Sequence, residues 1–575
     1  MTPRILTPVL ALFASFNLLA LSLDDIHYWF GEGSGKCAVV VDWGAKGASR
    51  AWGYKWNKSC TNLTEVVQRL VHEDPRLVSN EAQTFFGYDV KDVHPTWDKT
   101  AGTSGDPAAE AAANGAGGEW RFFGPFSSVP ASVSVSAAVS PDAVFPSSGQ
   151  WFVLRYMASA AEGLATPEPA ESPYGYKVVD HLTYESNPMY NVPANVLGHP
   201  TMGIFSASSS SGISDTGSTI NPAYPAWSGG RLLSLVGDED EEEPGFVTIK
   251  FDHDVIDDPN NPFGIDLIVF GNAFGVRNSN KTVDLTTDPT TVKFSGAGAA
   301  EEALVEVSQD GETWYAYEYG PYADSYMPTL GYTYDTANPD PNLFSGNLYW
   351  GRAAQATRPV DPNCDFSSFA GLNLAQVCQR YNGSAGGTGF DLDRLRLPKN
   401  AEGRKWIRYV RISCQYSEEP NEEGDFGYNV PEVDAVADVA PVSAYEKWVE
   451  EHYTDWATAW QTNVTGAGAV AANGQLNALN FAWGLAPTDY VPTAVPFEIT
   501  DFAQGERVHT ITMHSPRRMD NAGGVVVQAT DSLTAGWKTV VPTLTSSVKE
   551  SDVYVNTLTV PADAGAFFKL VVPTE

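Results

Sequence analysis

The sequence has few cationic residues for its length. Its 575 residues include 35 Lys and Arg against 70 Asp and Glu, which gives a formal net charge of −35. Such a chain repels other polyanions, so the composition argues against binding to nucleic acid or to an anionic lipid surface. Two explanations of the acidity stay open, namely solubility in a salty exterior and the binding of cations.

Recognisable catalytic motifs are also missing. The sequence contains no Gly-x-Ser-x-Gly, no His-Glu-x-x-His, no phosphate-binding glycine loop with Lys and no dinucleotide fingerprint. Its nine His residues are scattered, without metal-binding spacing. We therefore expect no enzymatic activity. Paired carboxylates that only the fold brings together, as in glycoside hydrolases, are the alternative.

Long hydrophobic runs are absent beyond the first 23 residues. There, Arg4 precedes the apolar segments 5–14 and 18–21, and the small residues Ala20 and Ser22 precede residues 23–25. A cation, a short apolar core and a small-residue cleavage site are typical of a secretory signal peptide. No later stretch reaches the roughly 18 to 20 apolar residues of a membrane helix. We predict export, cleavage near Ser22, a secreted or extracellular surface location and no transmembrane segment.

Cysteine is scarce, with five residues in an odd number. In an oxidising compartment, Cys37 with Cys60 and Cys364 with Cys378 are close enough in sequence to close local loops, although other pairings stay open. Cys414 lies in an apolar run that predicts a strand, so we expect a buried free thiol. The spacings match no zinc pattern.

Aromatic residues and turn formers are abundant. Aromatics make up 12% of the chain, which also contains 51 Gly and 38 Pro, and this composition is typical of many short strands joined by turns. Apolar patterns predict strands at residues 246–251, 265–270, 305–307 and 406–412. A helix is predicted after the capping residue Asn62. The fold class is predicted to be mainly β.

The chain length favours several domains. After the signal peptide we predict a small α+β module at residues 24–157 and a linker rich in Ala, Glu and Pro at 158–173. A jelly-roll sandwich is predicted at 174–442. Residues 443–575 are predicted to form a short helix plus a β-sandwich module.

Six phrases of the central segment resemble successive landmarks of bacterial secreted and cell-surface proteins. They occur in the expected order at residues 195–201, 257–274, 303–311, 369–372, 386–392 and 432–437. The resemblance implies a galactose-binding-like, discoidin-like jelly roll. Relatives of this kind usually bind glycans or other surface ligands and often contain a structural calcium ion.

The two flanking segments carry resemblances of their own. The N-terminal segment is similar to an uncharacterised module of exported bacterial proteins, which implies no activity. Residues 473–487 and 525–533 resemble a C-terminal module of verrucomicrobial and planctomycete-type bacteria. Such modules usually carry an Asp-rich calcium loop before this point, but residues 468–473 contain no carboxylate. We expect no calcium there.

A calcium site is predicted within the central segment instead. Calcium takes six to eight oxygen ligands from carboxylates, amides and carbonyls. The candidate ligands are Asp257, Asp258, Asn260 and Asp266 on and after one loop, with Glu432 and Asp434 on the predicted closing strand. A solvated turn is the alternative, because Asp, Asn and Pro also form turns for local reasons.

Sugar recognition requires exposed ring faces and planar polar partners. The candidate glycan-binding residues are Tyr315, Tyr317 and Tyr322 in a long turn-rich segment, with Trp350 and Arg352 further on. Core packing is the alternative for these rings, since large aromatics dominate the cores of β domains.

Together these features predict a non-catalytic secreted or cell-surface binding protein whose jelly roll binds a glycan with the help of structural calcium. A secreted glycan-degrading enzyme and an adhesive surface component without a small ligand are the main alternatives. Capture of a tetrapyrrole by the aromatic N-terminal segment is a third. The sequence does not specify the ligand or the oligomeric state.

Overall fold

The structure is a computed structural model of the chain. It describes the following residues: 21–31, 33–42, 49–56, 61–74, 77–78, 94–95, 119–157, 161–164, 166–200, 231–238, 243–278, 286–325, 327, 329–337, 339, 346–417, 427–442, 444–453, 471–473, 476–482, 485–488, 498–503, 508–515, 526–530, 538–540, 543–550, 553–561 and 567–571. The predicted signal peptide lies outside this part, apart from its last three residues.

The elements confirm the predicted mainly β class. The N-terminal elements are β1 Trp29–Gly31, β2 Gly35–Asp42, β3 Ser49–Trp56, α1 Leu63–Glu73, β4 Leu77–Val78, β5 His94–Pro95, β6 Glu119–Phe126, β7 Ser132–Ser134, β8 Trp151–Met157, β9 Ala161–Gly163 and β10 Glu168–Pro169. The predicted helix is confirmed as α1. Its first turn is capped by Asn62, whose side chain accepts the Glu65 N–H at 2.9 Å.

The central elements follow from Lys177 to Asp438. They are β11 Lys177–Leu182, β12 Leu233–Ser234, β13 Phe246–Ile256, β14 Leu267–Gly271, β15 Phe274–Arg277, β16 Phe294–Ala299, β17 Leu304–Ser308, β18 Trp314–Ala316, β19 Tyr332–Tyr334, β20 Trp350–Ala353, α2 Leu374–Tyr381, β21 Thr388–Phe390, β22 Trp406–Ser413, β23 Tyr416–Ser417, β24 Gly427–Tyr428 and β25 Glu432–Asp438. The four predicted strands correspond to β13, β14, β17 and β22 and are confirmed.

The C-terminal elements begin with helices and continue as strands. They are α3 Ala444–His452, α4 Asn477–Ala482, β26 Glu498–Ala503, β27 Val508–Ser515, β28 Val526–Thr530, β29 Lys538–Val540, β30 Thr543–Glu550, β31 Val553–Pro561 and β32 Phe567–Val571. The strands form two antiparallel sheets in the orders β26-β27-β31-β30 and β29-β28-β32. In the described part of the chain, none of the helices combines the length and apolar character needed to cross a membrane.

The chain divides into two compact units. The first comprises residues 1–26, 31–67 and 119–170, and the second comprises residues 27–30, 68–118 and 171–575. The first unit contains a sheet in which β2 pairs antiparallel with β3 and parallel with β8, while β6 pairs antiparallel with β8. The residues 39–41 and 152–154 at its centre are all buried.

The segment predicted as a linker belongs partly to this sheet. Within this segment, β10 runs parallel to β3 and joins the sheet, whereas β9 pairs with β7 in a separate two-stranded sheet. Ala170 is fully buried, and its N–H donates to the Ala51 carbonyl at 2.9 Å. Strands β9 and β10 and the buried Ala170 belong to the first unit, and the domain boundaries around this segment stay predictions.

The centre of the second unit is a β-sandwich. Its five-stranded sheet has the order β11-β13-β22-β17-β18, its four-stranded sheet has the order β12-β25-β14-β21, and every pairing within them is antiparallel. One hydrophobic core draws buried residues from both sheets, including Ile249 and Ile412 from the first and Leu267 and Val433 from the second. Strands that alternate between core and exterior explain why Val247, Ile249 and Phe251 all point inward.

The cysteines differ in part from the prediction. Cys364, Cys378 and Cys414 are free thiols, so the predicted bond between Cys364 and Cys378 is not formed. The charge of Arg380 acts on the Cys364 thiol, and Cys378 lies on the buried face of α2. Cys414 is a buried free thiol, as predicted, and its Sγ accepts the Gly245 N–H at 3.1 Å. Cys37 is buried, and its predicted partner Cys60 lies outside the described residues.

Candidate functional site

A tyrosine-rich loop leaves the five-stranded sheet after β18. We call residues 317–325 the tyrosine loop. Its first residue, Tyr317, is anchored in the core, where its hydroxyl donates to the Asp391 carbonyl at 3.0 Å and its ring packs edge-on against Phe390. The loop then turns outward, so that Tyr319 is 90% exposed. It returns at Ala323, which is buried in an antiparallel bridge to Ala303.

Asp324 follows immediately and is only 2% exposed. Its Oδ1 accepts the Ala273 N–H at 2.7 Å, and its backbone has a φ of +51°, in the left-handed region. Gly271 makes room for this carboxylate, because a Cβ on Gly271 would lie 2.3 Å from Asp324 Oδ1. The fold therefore keeps space for a buried carboxylate at the end of the tyrosine loop.

Two further acidic side chains converge on Asp324. Ligand oxygens of Glu301, Asp324 and Glu432 all lie within 4.8 Å of one another, and we call these residues the carboxylate cluster. Glu432 Oε1 accepts the Ser234 hydroxyl at 3.2 Å, whereas its Oε2 is buried and accepts no hydrogen bond from a described donor. The three residues come from the segment before β17, from the tyrosine loop and from the start of β25.

The surroundings of the cluster favour the protonated acids. Burial raises the pKa of Asp324 well above its usual range, against the hydrogen bonds from backbone N–H groups. Burial, and then the neighbouring Glu301 and Asp324 carboxyls, raise the pKa of Glu432 to about 9. Like-charged carboxylates in a poorly solvated place bind protons unless a cation neutralises them. Three oxygen donors of this kind have the chemistry of a hard divalent cation site, such as one for calcium.

The loop predicted to bind calcium is held by protein partners instead. Asp258 is buried and forms a salt bridge with Arg404 at 2.8 Å, and its other oxygen accepts the Asn260 N–H at 2.9 Å. Asp266 is fully buried, and its two oxygens accept the Asn261 side-chain amide and the Leu392 N–H at 2.8 and 2.9 Å. Burial raises the pKa of Asp266 to about 8.

Asp257 and Asn260, the other two predicted ligands of this loop, are held through their backbones. The N–H of Asp257 donates to the Lys405 carbonyl at 3.0 Å, and the Asn260 carbonyl accepts the Val442 N–H at 3.0 Å. Burial, and then the negative charges of Asp393 and Asp391, raise the pKa of Asp257.

Strand register separates this loop from Glu432. In the antiparallel pair of β14 and β25, Leu267 lies opposite Asp438, while Gly271 lies opposite Val433. Asp266 and Glu432 thus lie beyond opposite ends of the pair, about six residues or roughly 20 Å apart. The predicted ligand set does not converge, and Glu432 joins Glu301 and Asp324 instead. Asp434 is buried within β25 and lies outside the cluster.

The predicted glycan-binding residues occupy different environments. Tyr317 and Trp350 are 3% and 0% exposed, so neither ring offers a face to a ligand, and this corrects the prediction for both. Tyr315 is half-buried against the sandwich core. Tyr322 is half-buried, with its hydroxyl donating to the Glu318 carbonyl at 3.0 Å. The side chain of Arg352 lies outside the described residues.

Sequence reasoning missed Glu301 and Asp324. Each lies in a short segment without a motif, and the two segments meet through the Ala303 to Ala323 bridge and through the Glu301 N–H, which donates to the Asp324 carbonyl at 3.2 Å. The run Gly271-Asn272-Ala273 was the available signal, because a glycine directly after a buried strand often marks a close approach of other atoms.

No family model, curated protein or solved structure matches the chain. The function of the chain therefore has to be inferred from the geometry of its own residues. Fold alone would not specify a function in any case, since one fold supports many activities.

Proposed function

We propose that this protein is a non-catalytic binding protein of the cell exterior, which binds a glycan through the tyrosine loop while calcium occupies the carboxylate cluster. The position of Asp324 carries the proposal. This residue terminates the loop that exposes Tyr319 and also contributes a buried carboxylate to the cluster. An ion bound there would fix the base of the loop.

The exposed ring supports the ligand class. Sugars offer C–H faces that pack on aromatic rings, and their hydroxyls pair with polar groups nearby. Tyr319 presents its whole ring to solvent, and the half-buried Tyr322 lies three residues further along the same loop. Glu318, which directly precedes Tyr319 and is exposed, adds a carboxylate to the same loop.

Glu301 is exposed, but the limited access to the Asp324 and Glu432 oxygens supports an ion-binding role over hydrolysis. A glycoside hydrolase needs two carboxyl groups that reach the scissile bond, at separations of about 5 to 10 Å. Asp324 is 2% exposed and Glu432 Oε2 is buried. These oxygens can meet a small ion more readily than a polysaccharide chain.

A glycan array tests the proposal, with the full exported chain assayed in calcium and again in EDTA. Glu301→Gln should abolish the calcium-dependent signal because it removes a cluster ligand. The matched control is Glu302→Gln, since Glu302 is the adjacent exposed acid and bonds Ser325 at 2.8 Å instead. Tyr319→Ala should weaken glycan binding by about tenfold, the loss of roughly one stacked ring.

One control variant and one separate measurement complete the design. Tyr416→Ala removes another exposed ring, 53% accessible, that lies outside the tyrosine loop, and it should leave binding unchanged. Calcium binding by the full chain is measured separately by calorimetry. Equal glycan binding in calcium and EDTA, or equal calcium affinity of the two Gln variants, would contradict the proposal.

A further inference from the structure

The outer face of the five-stranded sheet carries an aromatic and cationic surface. Strand residues alternate between faces, so the neighbours of the core residues of β13, β17 and β22 point away from the sandwich. The half-buried residues that form this outer surface are Phe246, Lys250, Glu306, Trp314, Tyr409 and Arg411. The surface spans four neighbouring strands, or about 14 Å across the sheet.

Arg411 lies at the centre of this surface, between two rings. Its guanidinium carbon is 4.0 Å from the ring centre of Trp314 and 5.5 Å from that of Phe246. Its Nε donates to the Thr248 hydroxyl at 3.2 Å, and its nearest carboxylate, that of Glu306, is 3.9 Å from Nη1, beyond hydrogen-bonding distance. Within the described part of the chain, its terminal NH₂ groups thus have no hydrogen-bond acceptor, although the side chain is only 28% exposed.

The two rings and the hydrogen bond to Thr248 restrict the orientation of the guanidinium. A planar group held between two rings keeps its orientation, and its free edge offers two parallel N–H donors. Such an edge matches the two oxygens of one carboxylate, which can accept both hydrogen bonds at once. The Glu306 carboxylate, 3.9 Å from Nη1, is too far away to form such a bidentate pair, so the edge remains available to the carboxylate of a ligand.

The charge of the surface differs from that of the whole chain. Within this surface Lys250 and Arg411 outnumber Glu306, whereas the chain as a whole carries −35. A highly charged polyanion would still be repelled by the rest of the molecule. A ligand with a single carboxylate beside apolar C–H faces fits both the local and the overall charge.

We propose that this surface binds a uronic acid residue of a glycan, with Arg411 pairing to its carboxylate and Trp314 packing against its ring. This is a second surface, separate from the tyrosine loop, and it requires no calcium. The proposal therefore extends the binding function without depending on it.

The probe is a disaccharide of glucuronic acid linked to galactose, titrated into the full chain in EDTA and followed by calorimetry and ligand-observed NMR. The methyl ester of the same disaccharide is the matched ligand, because it keeps the rings and loses the charge. We expect the acid to bind and the ester to bind about tenfold more weakly, since the charge-assisted bidentate pair is lost.

Arg411→Lys should also weaken binding about tenfold, because an ammonium neither stacks as a plane nor forms the bidentate pair. Arg408→Lys is the matched control on the same strand, where the Arg408 Nε donates to Asp254 at 2.8 Å. A second variant, Trp314→Ala, should reduce the affinity for both acid and ester. Urea unfolding of each variant checks that the sheet is intact.

Four results would overturn the inference. One is no binding of the acid by the intact full chain, and another is equal affinity for acid and ester. The third is equal binding by the Arg411→Lys and Arg408→Lys variants. Binding that disappears in EDTA or in Tyr319→Ala would assign the ligand to the tyrosine loop and would also overturn it. Conversely, uronate binding in EDTA can persist even if the calcium-dependent proposal fails.

Discussion

Gly271 has no side chain, and this leaves room for the buried carboxylate of Asp324. It follows the buried strand β14, at the point where the Asp324 carboxylate approaches the backbone. A methyl group at Gly271 would meet Asp324 Oδ1 at 2.3 Å and the Glu432 carbonyl at 2.7 Å. Neither neighbour can move freely, because one is hydrogen-bonded to Ala273 and the other is strand backbone.

Gly271→Ala should therefore destabilise the protein by about 1–3 kcal/mol, the usual cost of overpacking. It should also remove the stabilisation by calcium, because Asp324 must leave the cluster. Urea unfolding with calcium and with EDTA measures both effects. Gly163→Ala is the control, since a Cβ there meets nothing within 4 Å. A Gly271→Ala protein that matches wild type in both conditions would show that the cluster tolerates displacement of Asp324.

At the scale of elements, much of the sandwich could be predicted and the site could not. The alternation of Val247, Ile249 and Phe251 is a local pattern, so it identifies β13 without knowledge of its neighbours. The register of β14 on β25 is not a local pattern. It separates Asp266 from Glu432, and two carboxylates that the sequence placed in one site lie beyond opposite ends of a strand pair.

The same limit applies to the aromatic residues. Composition shows that aromatic rings are abundant, but tertiary packing decides whether each ring is buried or exposed. Tyr317 and Tyr319 are two residues apart, yet one is anchored in the core and the other is exposed. A regular strand would have placed both on the same face, and the loop after β18 breaks that rule.

The buried face of β13 leads to a direct test. Phe251→Ala should lower the free energy of unfolding by about 3–5 kcal/mol, because it leaves a cavity in the shared core. Lys250→Ala on the opposite face should change it by about 0.5 kcal/mol or less. Chemical denaturation of both variants measures the difference. Similar losses in the two variants would contradict the assignment of inner and outer faces.

At the scale of the whole molecule, buried acids make stability depend on pH. An unfolded carboxyl has a pKa of about 4, whereas burial raises that of Asp266 to about 8 and that of Glu432 to about 9. The folded state then binds more protons than the unfolded state between these values. The contribution of these groups is fully present below about pH 4 and is lost as the pH rises.

We therefore expect the urea midpoint in EDTA to fall from pH 5 to pH 8. Asp252 does not oppose this trend, because its neighbours His253 and His27 lower its pKa and its contribution is lost only in strong acid. Calcium should restore stability more at pH 8 than at pH 5, since the ion competes with protons for the carboxylates. Glu432→Gln should remove this difference. A midpoint in EDTA that rises with pH would contradict the electrostatic description of the cluster.

The parallel pairing of β2 and β8 bears on the order in which the chain can fold. Ala38 lies opposite Trp151, so the central pair of the first sheet joins positions 113 residues apart. Contacts between such distant positions form slowly, because a long loop must close before any stabilising interaction is gained. During synthesis, β2 must wait until more than 150 residues have left the ribosome before its partner exists. The N-terminal part of this protein therefore stays accessible to chaperones until β8 has left the ribosome.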